Sequence, residues 1–499
     1  MGDPNADKRW AGAELLVWAV LQLLLIRVVY HADLQSRAPL IPTSCWAMLL
    51  GLARAFEAGL NPEVLFYALL PPIVLDAGFT THRRGFFANF GTVLLLAVVG
   101  TLVATVATAA VLIGLGRAGL ITEISPAEAM LFGSLVSATD PVATLVVFRK
   151  SRAPPLLFTL VFGESVLNDA VGKLFVLVDG STICSVTIPP SAIVTFTIFQ
   201  RFVDTGNTHI TLEAGVNMLA QLASIGVGSV ALAAIVCFGS AMLLDRQDAD
   251  MHRHPTYEIG VLLLSAYASY VAADVCQLSG LVAVFFSGIL MRHYHVYSVS
   301  RASSSAFRHL LATLATLGEN IIYLYLGLSI VVYRSTFVWD VHFAIASTAA
   351  CLIARACNTF PLCALANCTR PAQHRIPESY MTVIWYAGLR GAIAFALVLN
   401  MRSPNAALLK GATMFIVGFT TVVLGITTAP LLRALHLTSG SKSGDFENED
   451  ALSARHVDDE WPLAPSLDEH AFKVLVGGRP RSGGPEADAV DYGAIPRIA

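Results

Sequence analysis

The sequence predicts an all-α polytopic membrane protein with about 13 transmembrane helices. Three observations carry this. The 499 residues are 55% hydrophobic and only 13% charged, with mean hydropathy +0.65, far more apolar than a soluble chain of this size needs. The apolar runs are about 20 residues long, the length at which a helix crosses hydrocarbon. Basic residues crowd alternate loops, as the positive-inside rule requires of a multi-pass protein.

The first run, from Ala13 to Tyr30, has no small-residue cleavage site after it and is expected to be a true span rather than a removed signal peptide. Next come Ile41–Leu60, Pro62–Phe79, Thr92–Leu115 and Ala127–Phe148, then an interrupted run from Pro155. The later runs are Val216–Leu244, Tyr257–Cys276, Gly280–Met291, Phe307–Val332, Val338–Asn367, Tyr380–Asn400 and Ala406–Leu432. Basic loops hold His82-Arg83-Arg84, Arg149-Lys150-Ser151-Arg152, Arg246 with Arg253, Arg292 through Arg308, and Arg370 with Arg375. They are expected in the cytoplasm, together with the carboxyl terminus, while the amino terminus faces outside or a lumen. The sequon Asn367-Cys368-Thr369 then lies on the cytoplasmic side and carries no glycan.

Composition divides the chain into a membrane domain, residues 1–438, and a short acidic tail, residues 439–499, rich in Gly, Ser, Pro, Asp and Glu. The tail lacks apolar periodicity and is expected to be solvated and disordered. A net charge of -3, without a basic stripe interleaved with aromatics, argues against nucleic acid as a partner. The eight cysteines show no metal or disulfide spacing, and Cys351, Cys357, Cys363 and Cys368 suit small apolar packing. No motif calls for a cofactor or a nucleotide, so neither an enzyme nor a nucleotide-driven pump is expected.

Two acidic phrases interrupt this pattern: Ser137-Ala138-Thr139-Asp140-Pro141 and Glu164-Ser165-Val166-Leu167-Asn168-Asp169. Carboxylates at membrane depth are costly and persist mainly where they face a cavity and bind a charged species. The plainer alternative is pairing with a basic side chain. Secondary transporters place their site where helices unwind in matching positions of two inverted halves, and this chain offers such a pair. Pro141 removes a backbone donor and biases Asp140 away from helix, freeing carbonyls to join the Thr139 hydroxyl around a cation. In the second half, Tyr386-Ala387-Gly388-Leu389-Arg390-Gly391 sets Gly388 and Gly391 around an arginine within an apolar span. Close helix packing would explain either glycine, but not Arg390, which needs a carbonyl, a carboxylate or a helix end. Glu164 and Asn168 share one helix face, as do Ser165 and Asp169. Asp169 is the best candidate for a group that holds a proton or a cation, but not both. Arg355, inside an apolar span, needs an acidic partner. Glu319 is a further acid, for which a helix-end or interfacial position is the structural alternative.

These phrases carry a resemblance. Leu69-Leu70-Pro71-Pro72-Ile73, Thr139-Asp140-Pro141, Phe162-Gly163-Glu164-Ser165 through Asn168-Asp169, and Gly388-Leu389-Arg390-Gly391-Ala392-Ile393 are similar, in order, to the electroneutral sodium/proton exchanger family of the cation–proton antiporters. The chain looks closest to the organellar branch. The resemblance implies 13 spans in two inverted six-helix repeats with crossed broken helices, a linker helix at Val216–Leu244, and a homodimer among membrane lipids. It implies that Asp169 binds the ion, with Asn168, Asp140, Thr139 and Ser165 close by. It further implies that Glu164 pairs with Arg355, and that Arg390, Gly388 and Gly391 support the broken helix. Asn168 before Asp169 is the pattern of electroneutral one-for-one exchange. Sodium, potassium and protons are the expected cargo, in Golgi or endosomal membranes, with the plasma membrane as the alternative.

The chain departs from the family once. After Val171 the turn signals Gly172, Asp179-Gly180-Ser181 and Pro189-Pro190 interrupt the helix that carries Asp169. Joining Val171 to Ala192 restores an apolar run. Residues 172–191 are therefore expected to be an insertion foreign to the working transporter, such as unspliced intron sequence. Two other functions compete: a cation channel or uniporter using the same acidic cavity, and an exchange-inactive variant created by the insertion.

Overall fold

The computed structural model describes residues 20–27, 43–52, 65–81, 83–140, 148, 153–173, 212–245, 255–276, 278–295, 299–332, 337–371, 375–391, 394, 398, 401 and 403–437. Every regular element among them is helical. The acidic tail, and residues 174–191 of the expected insertion, lie outside the described residues.

In chain order the helices are α1 (Thr43–Leu52), α2 (Leu70–Thr80), the short α3 (Arg83–Ala88), α4 (Phe90–Arg117), α5 (Pro126–Ser137) and α6 (Pro155–Lys173). The second half holds α7 (Leu212–Asp245), α8 (Pro255–Val275), α9 (Gly280–Tyr294), α10 (Arg301–Val332), α11 (Val341–Thr369), α12 (Glu378–Tyr386) and α13 (Ala406–Ala434). Among the described residues six helices are long and apolar enough to cross a membrane. Their outer faces carry exposed apolar side chains, such as Val227, Ile235 and Leu243 on α7 and Ile345, Ile353 and Leu365 on α11. A helix that is apolar on its outer as well as its inner face suits lipid rather than water.

Local chemistry sets the helix starts. Ser125 and Glu128 cap each other reciprocally at the start of α5, with Pro126 in the first turn. Asp340 caps α11 by accepting from the N–H groups of His342 and Phe343. The stretch from Arg292 to Arg308 was expected to be a basic loop, yet α10 already begins at Arg301. Ser300 explains the difference, since its hydroxyl accepts from the Ser303 N–H and starts the helix inside the basic stretch. Glu319 accordingly sits in the body of α10, half-buried, rather than at a helix end.

The helices pack as two groups. In one, α10 lies against α1, α2 and α8, and α9 lies against α2, α7 and α8. In the other, α4 packs on α5, α6 and α11, while α11 also packs on α12 and α13. The groups approach where α6 touches α9. Close packing depends on small residues: a Cβ at Gly78 would sit 2.2 Å from the Phe285 carbonyl oxygen. Of the clustered cysteines, Cys351 and Cys363 are buried, while Cys357 and Cys368 are exposed.

Candidate functional site: two broken helices beside an acidic helix

α5 ends at Ser137, and Ala138 turns to an extended conformation (φ -63°, ψ 127°). α12 ends at Tyr386, and residues 388–391 are non-helical. The two breaks meet directly: the Asp140 N–H donates to the Leu389 carbonyl across 2.8 Å. A terminated helix leaves its last carbonyls unpaired. Here the Ser137 carbonyl accepts from both Arg390 (2.7 Å) and the Asn168 side-chain amide (3.2 Å). Arg390 thus places its positive charge at the negative end of α5, where the helix dipole favours a cation. It is 2% exposed, and its other terminal nitrogen faces the Cys351 sulfur.

A second layer holds the Arg390 segment. The Arg390 N–H donates to the Thr420 hydroxyl, and the Thr421 hydroxyl donates to the Arg390 carbonyl, each at 3.1 Å. Both threonines lie in a π-helical turn of α13, Thr420–Leu424, a local irregularity common near functional positions. Gly391 is required by space. A Cβ there would sit 1.6 Å from the Asp140 Oδ2. At Gly388 the nearest side-chain atom to an added Cβ is the Arg355 Nε, at 3.2 Å.

α6 supplies the third wall. Thr139 donates its hydroxyl to Ser165 Oγ at 3.0 Å, joining the α5 break to the acidic helix. One turn on, Asn168 donates to Ser137 and accepts from Thr101 of α4 at 2.9 Å. Glu164 and Arg355 are paired through both carboxylate oxygens, with Arg355 Nη2 2.9 Å from Glu164 Oε2 and the other nitrogen closer still. The same Nη2 also donates to the Ile384 carbonyl in α12. Both residues are fully enclosed. Asp169 follows Asn168 in α6, and its side chain lies outside the described residues. The structure therefore brings together Thr139, Asp140, Ser165, Asn168, Arg390 and Gly391, with the Glu164–Arg355 pair alongside.

Sequence reasoning missed Thr101, Thr420, Thr421, Cys351 and Tyr323, whose hydroxyl donates to Asp140 Oδ2 at 2.8 Å. It also passed over two buried acids that serve structure. Glu128 caps α5 and accepts from the Asn405 backbone and side chain, and Glu258 accepts from Ser300 at the head of α10. The Ser-x-x-Glu pattern at Ser125 was the available signal for the first. The sequon asparagine, Asn367, is occupied by bonds to the Ile376 backbone.

Comparison with known proteins decides the family. The model of the transmembrane sodium/hydrogen exchanger family matches residues 23–434. The chain belongs to the sodium/hydrogen exchanger family. Human sodium/hydrogen exchanger 8 is 30% identical over 455 residues, covering 87% of this chain and 74% of the relative. An uncharacterised Na+/H+ antiporter of Schizosaccharomyces pombe is 31% identical over 92% of this chain and 78% of its own length. Rat sodium/hydrogen exchanger 9 is 33% identical over 84% of this chain and 62% of its length. Among solved structures, the sodium proton antiporter MjNhaP1 of Methanocaldococcus jannaschii superposes with a TM-score of 0.60 over 86% of this chain and 100% of that one. At 16% identity this likeness shows the fold, an all-helical polytopic antiporter fold. The broken, crossing segments of this sodium/hydrogen exchanger family member thus lie within a fold that other antiporters share.

Proposed function

We propose that the chain exchanges one sodium or potassium ion for one proton, electroneutrally, with Asp169 as the group that holds either the cation or the proton. Sodium/proton exchange is the activity that family membership gives it, and the chain is a multi-pass membrane transporter. Asn168, Ser165, Thr139 and Asp140 complete the ion site. Glu164 and Arg355 neutralise each other as a structural pair, and Arg390, Gly388 and Gly391 hold the second break open. The count of 13 spans in two inverted six-helix repeats, a homodimer in the lipid bilayer, and a Golgi or endosomal location belong to the same proposal. The likeness of the acidic phrases to the organellar branch supports the location.

One observation carries the site. Asn168, the residue before Asp169, is bonded to Ser137 at the α5 break, and one turn earlier Ser165 is bonded to Thr139 in that break. This ties the acidic stretch of α6 to the discontinuity, where secondary transporters bind their ions. A lone exchangeable carboxylate couples the fluxes by competition, since a proton and a cation exclude each other on it. A channel or uniporter using the same cavity would need no such competition. The test is Asp169→Asn in proteoliposomes. The variant should fold, because neutralising a desolvated carboxylate spares the membrane a charge, and sodium-driven proton flux should vanish. Robust flux from the folded variant would overturn the assignment.

A further inference from the structure

We infer that Tyr323 is a positioning residue for ion binding, its hydroxyl holding the Asp140 carboxylate in place at the crossing of the broken segments. The inference rests on the reading of Asp140 as part of the ion site. Tyr323 lies in α10, 183 residues from Asp140 in sequence, and is 1% exposed. Its hydroxyl donates to Asp140 Oδ2 at 2.8 Å. The same oxygen lies over Gly391, where no Cβ fits. One carboxylate oxygen therefore accepts from Tyr323 and occupies the space beside Gly391 that a larger residue would need.

The surroundings make this more than a satisfied core hydroxyl. Asp140 stands in a non-helical stretch, where helix backbone cannot fix its orientation. α10 belongs to the helix group opposite the one that carries both breaks. The Tyr323 bond consequently fastens the Asp140 side chain to the facing wall. A hydrogen bond to an ionised carboxylate is among the stronger neutral-donor contacts and is directional. With Oδ2 fixed, the plane of the carboxylate is fixed too, and a cation meets an oriented group rather than a rotating one. A phenylalanine at this position would fill the same apolar space and supply no donor.

The experiment uses the full chain, purified and in proteoliposomes. Tyr323→Phe should raise the half-saturating sodium concentration about tenfold, the scale of one lost bond to a charged group, with the maximal rate nearly unchanged and the protein still folded in detergent. Equilibrium binding of radiosodium should weaken by the same factor. Tyr325→Phe, which removes a hydroxyl from another face of α10, should leave sodium binding as it was. In an Asp140→Asn background Tyr323→Phe should add nothing. Unchanged sodium affinity in Tyr323→Phe, a tightening of it, or additive effects of the two substitutions would overturn the inference. The parent reading is tested separately. If Asp140→Asn alone leaves sodium affinity unaltered, Asp140 is not an ion-site residue and both readings fall. If Asp140→Asn weakens binding and Tyr323→Phe does not, only this inference falls.

Discussion

Glu164 and Arg355 show how an acid at membrane depth can be held by a fixed partner. Arg355 covers both oxygens of Glu164 and still reaches the Ile384 carbonyl. The desolvation cost of each charge is large, and the pair offsets it only while both partners are present. Removing either one alone should destabilise the protein by about 3–5 kcal/mol, because the survivor is left buried and unpaired. Removing both, as Glu164→Gln with Arg355→Gln, should cost less than the sum. Melting temperatures in detergent for the two single variants and the double variant close this cycle, and strictly additive losses would show that the two side chains do not interact. The polar residues of the breaks were legible because an Asp or an Arg stands out in an apolar run, and Pro141 beside Asp140 drew Thr139 in with them. Tyr323, Thr101, Thr420 and Thr421 were not. Hydroxyl residues are ordinary in membrane helices, where they bond back to the carbonyl four residues earlier, as Thr101 and Thr105 do here. Only folding brings their oxygens to Asn168, Asp140 and Arg390.

At the scale of elements, punctuation decided what was readable. Pro141 marked the α5 break, Gly388 and Gly391 marked the α12 break, and both segments are non-helical where described. The start of α10 was misplaced because charge was weighed above capping: Arg301 argued for a loop, while Ser300 was already a cap. Asp340 at the head of α11 gives the same chemistry a pH dependence. The Phe343 N–H, with further bonds from Thr122 and the His342 N–H, holds the Asp340 carboxyl below the usual aspartate range. A carboxylate with a depressed folded-state pKa contributes stability above its unfolded pKa and loses it as pH falls through the folded value. Asp340→Ala should cost about 0.5–2 kcal/mol at neutral pH, the ordinary worth of an N-cap. The gap between wild type and variant should narrow as pH drops below about 4. A thermal-stability series across pH checks it: a gap that widens in acid would show that the cap is not the ionised form.

For the whole molecule, the proposed ion-site role of α6 turns on where along its length the crossing falls. It runs from Pro155 to Lys173 over 19 residues, which is about 28 Å at 1.5 Å per residue. That nearly matches a hydrocarbon core of about 30 Å, so the described helix is longer than the run from Leu156 to Val171 suggests. Length alone is not the difficulty; position is. Glu164, Ser165 and Asn168 meet the crossing in the later part of α6. Antiporter-type crossings sit near the bilayer midplane. A helix centred there needs as many residues after Asn168 as before it. The sequence instead offers Gly172, then Asp179-Gly180-Ser181 and Pro189-Pro190, turn chemistry that leaves backbone groups unpaired in hydrocarbon at several kcal/mol each. Excising residues 172–191 brings Ala192-Ile193-Val194 directly after Val171 and continues the apolar helix. We therefore predict that the excised chain transports faster than the full chain. A displacement of about 1 Å at a reacting centre costs about 100-fold in rate, which sets the scale of the expected gain. Sodium-driven proton flux from both forms, reconstituted at equal density, measures the ratio, and sequencing the mature transcript tells which form the cell makes. If the codons for residues 172–191 stand in the dominant transcript and the full chain exchanges ions as fast as the excised one, the segment belongs to the transporter. The helix must then be completed by residues from within it.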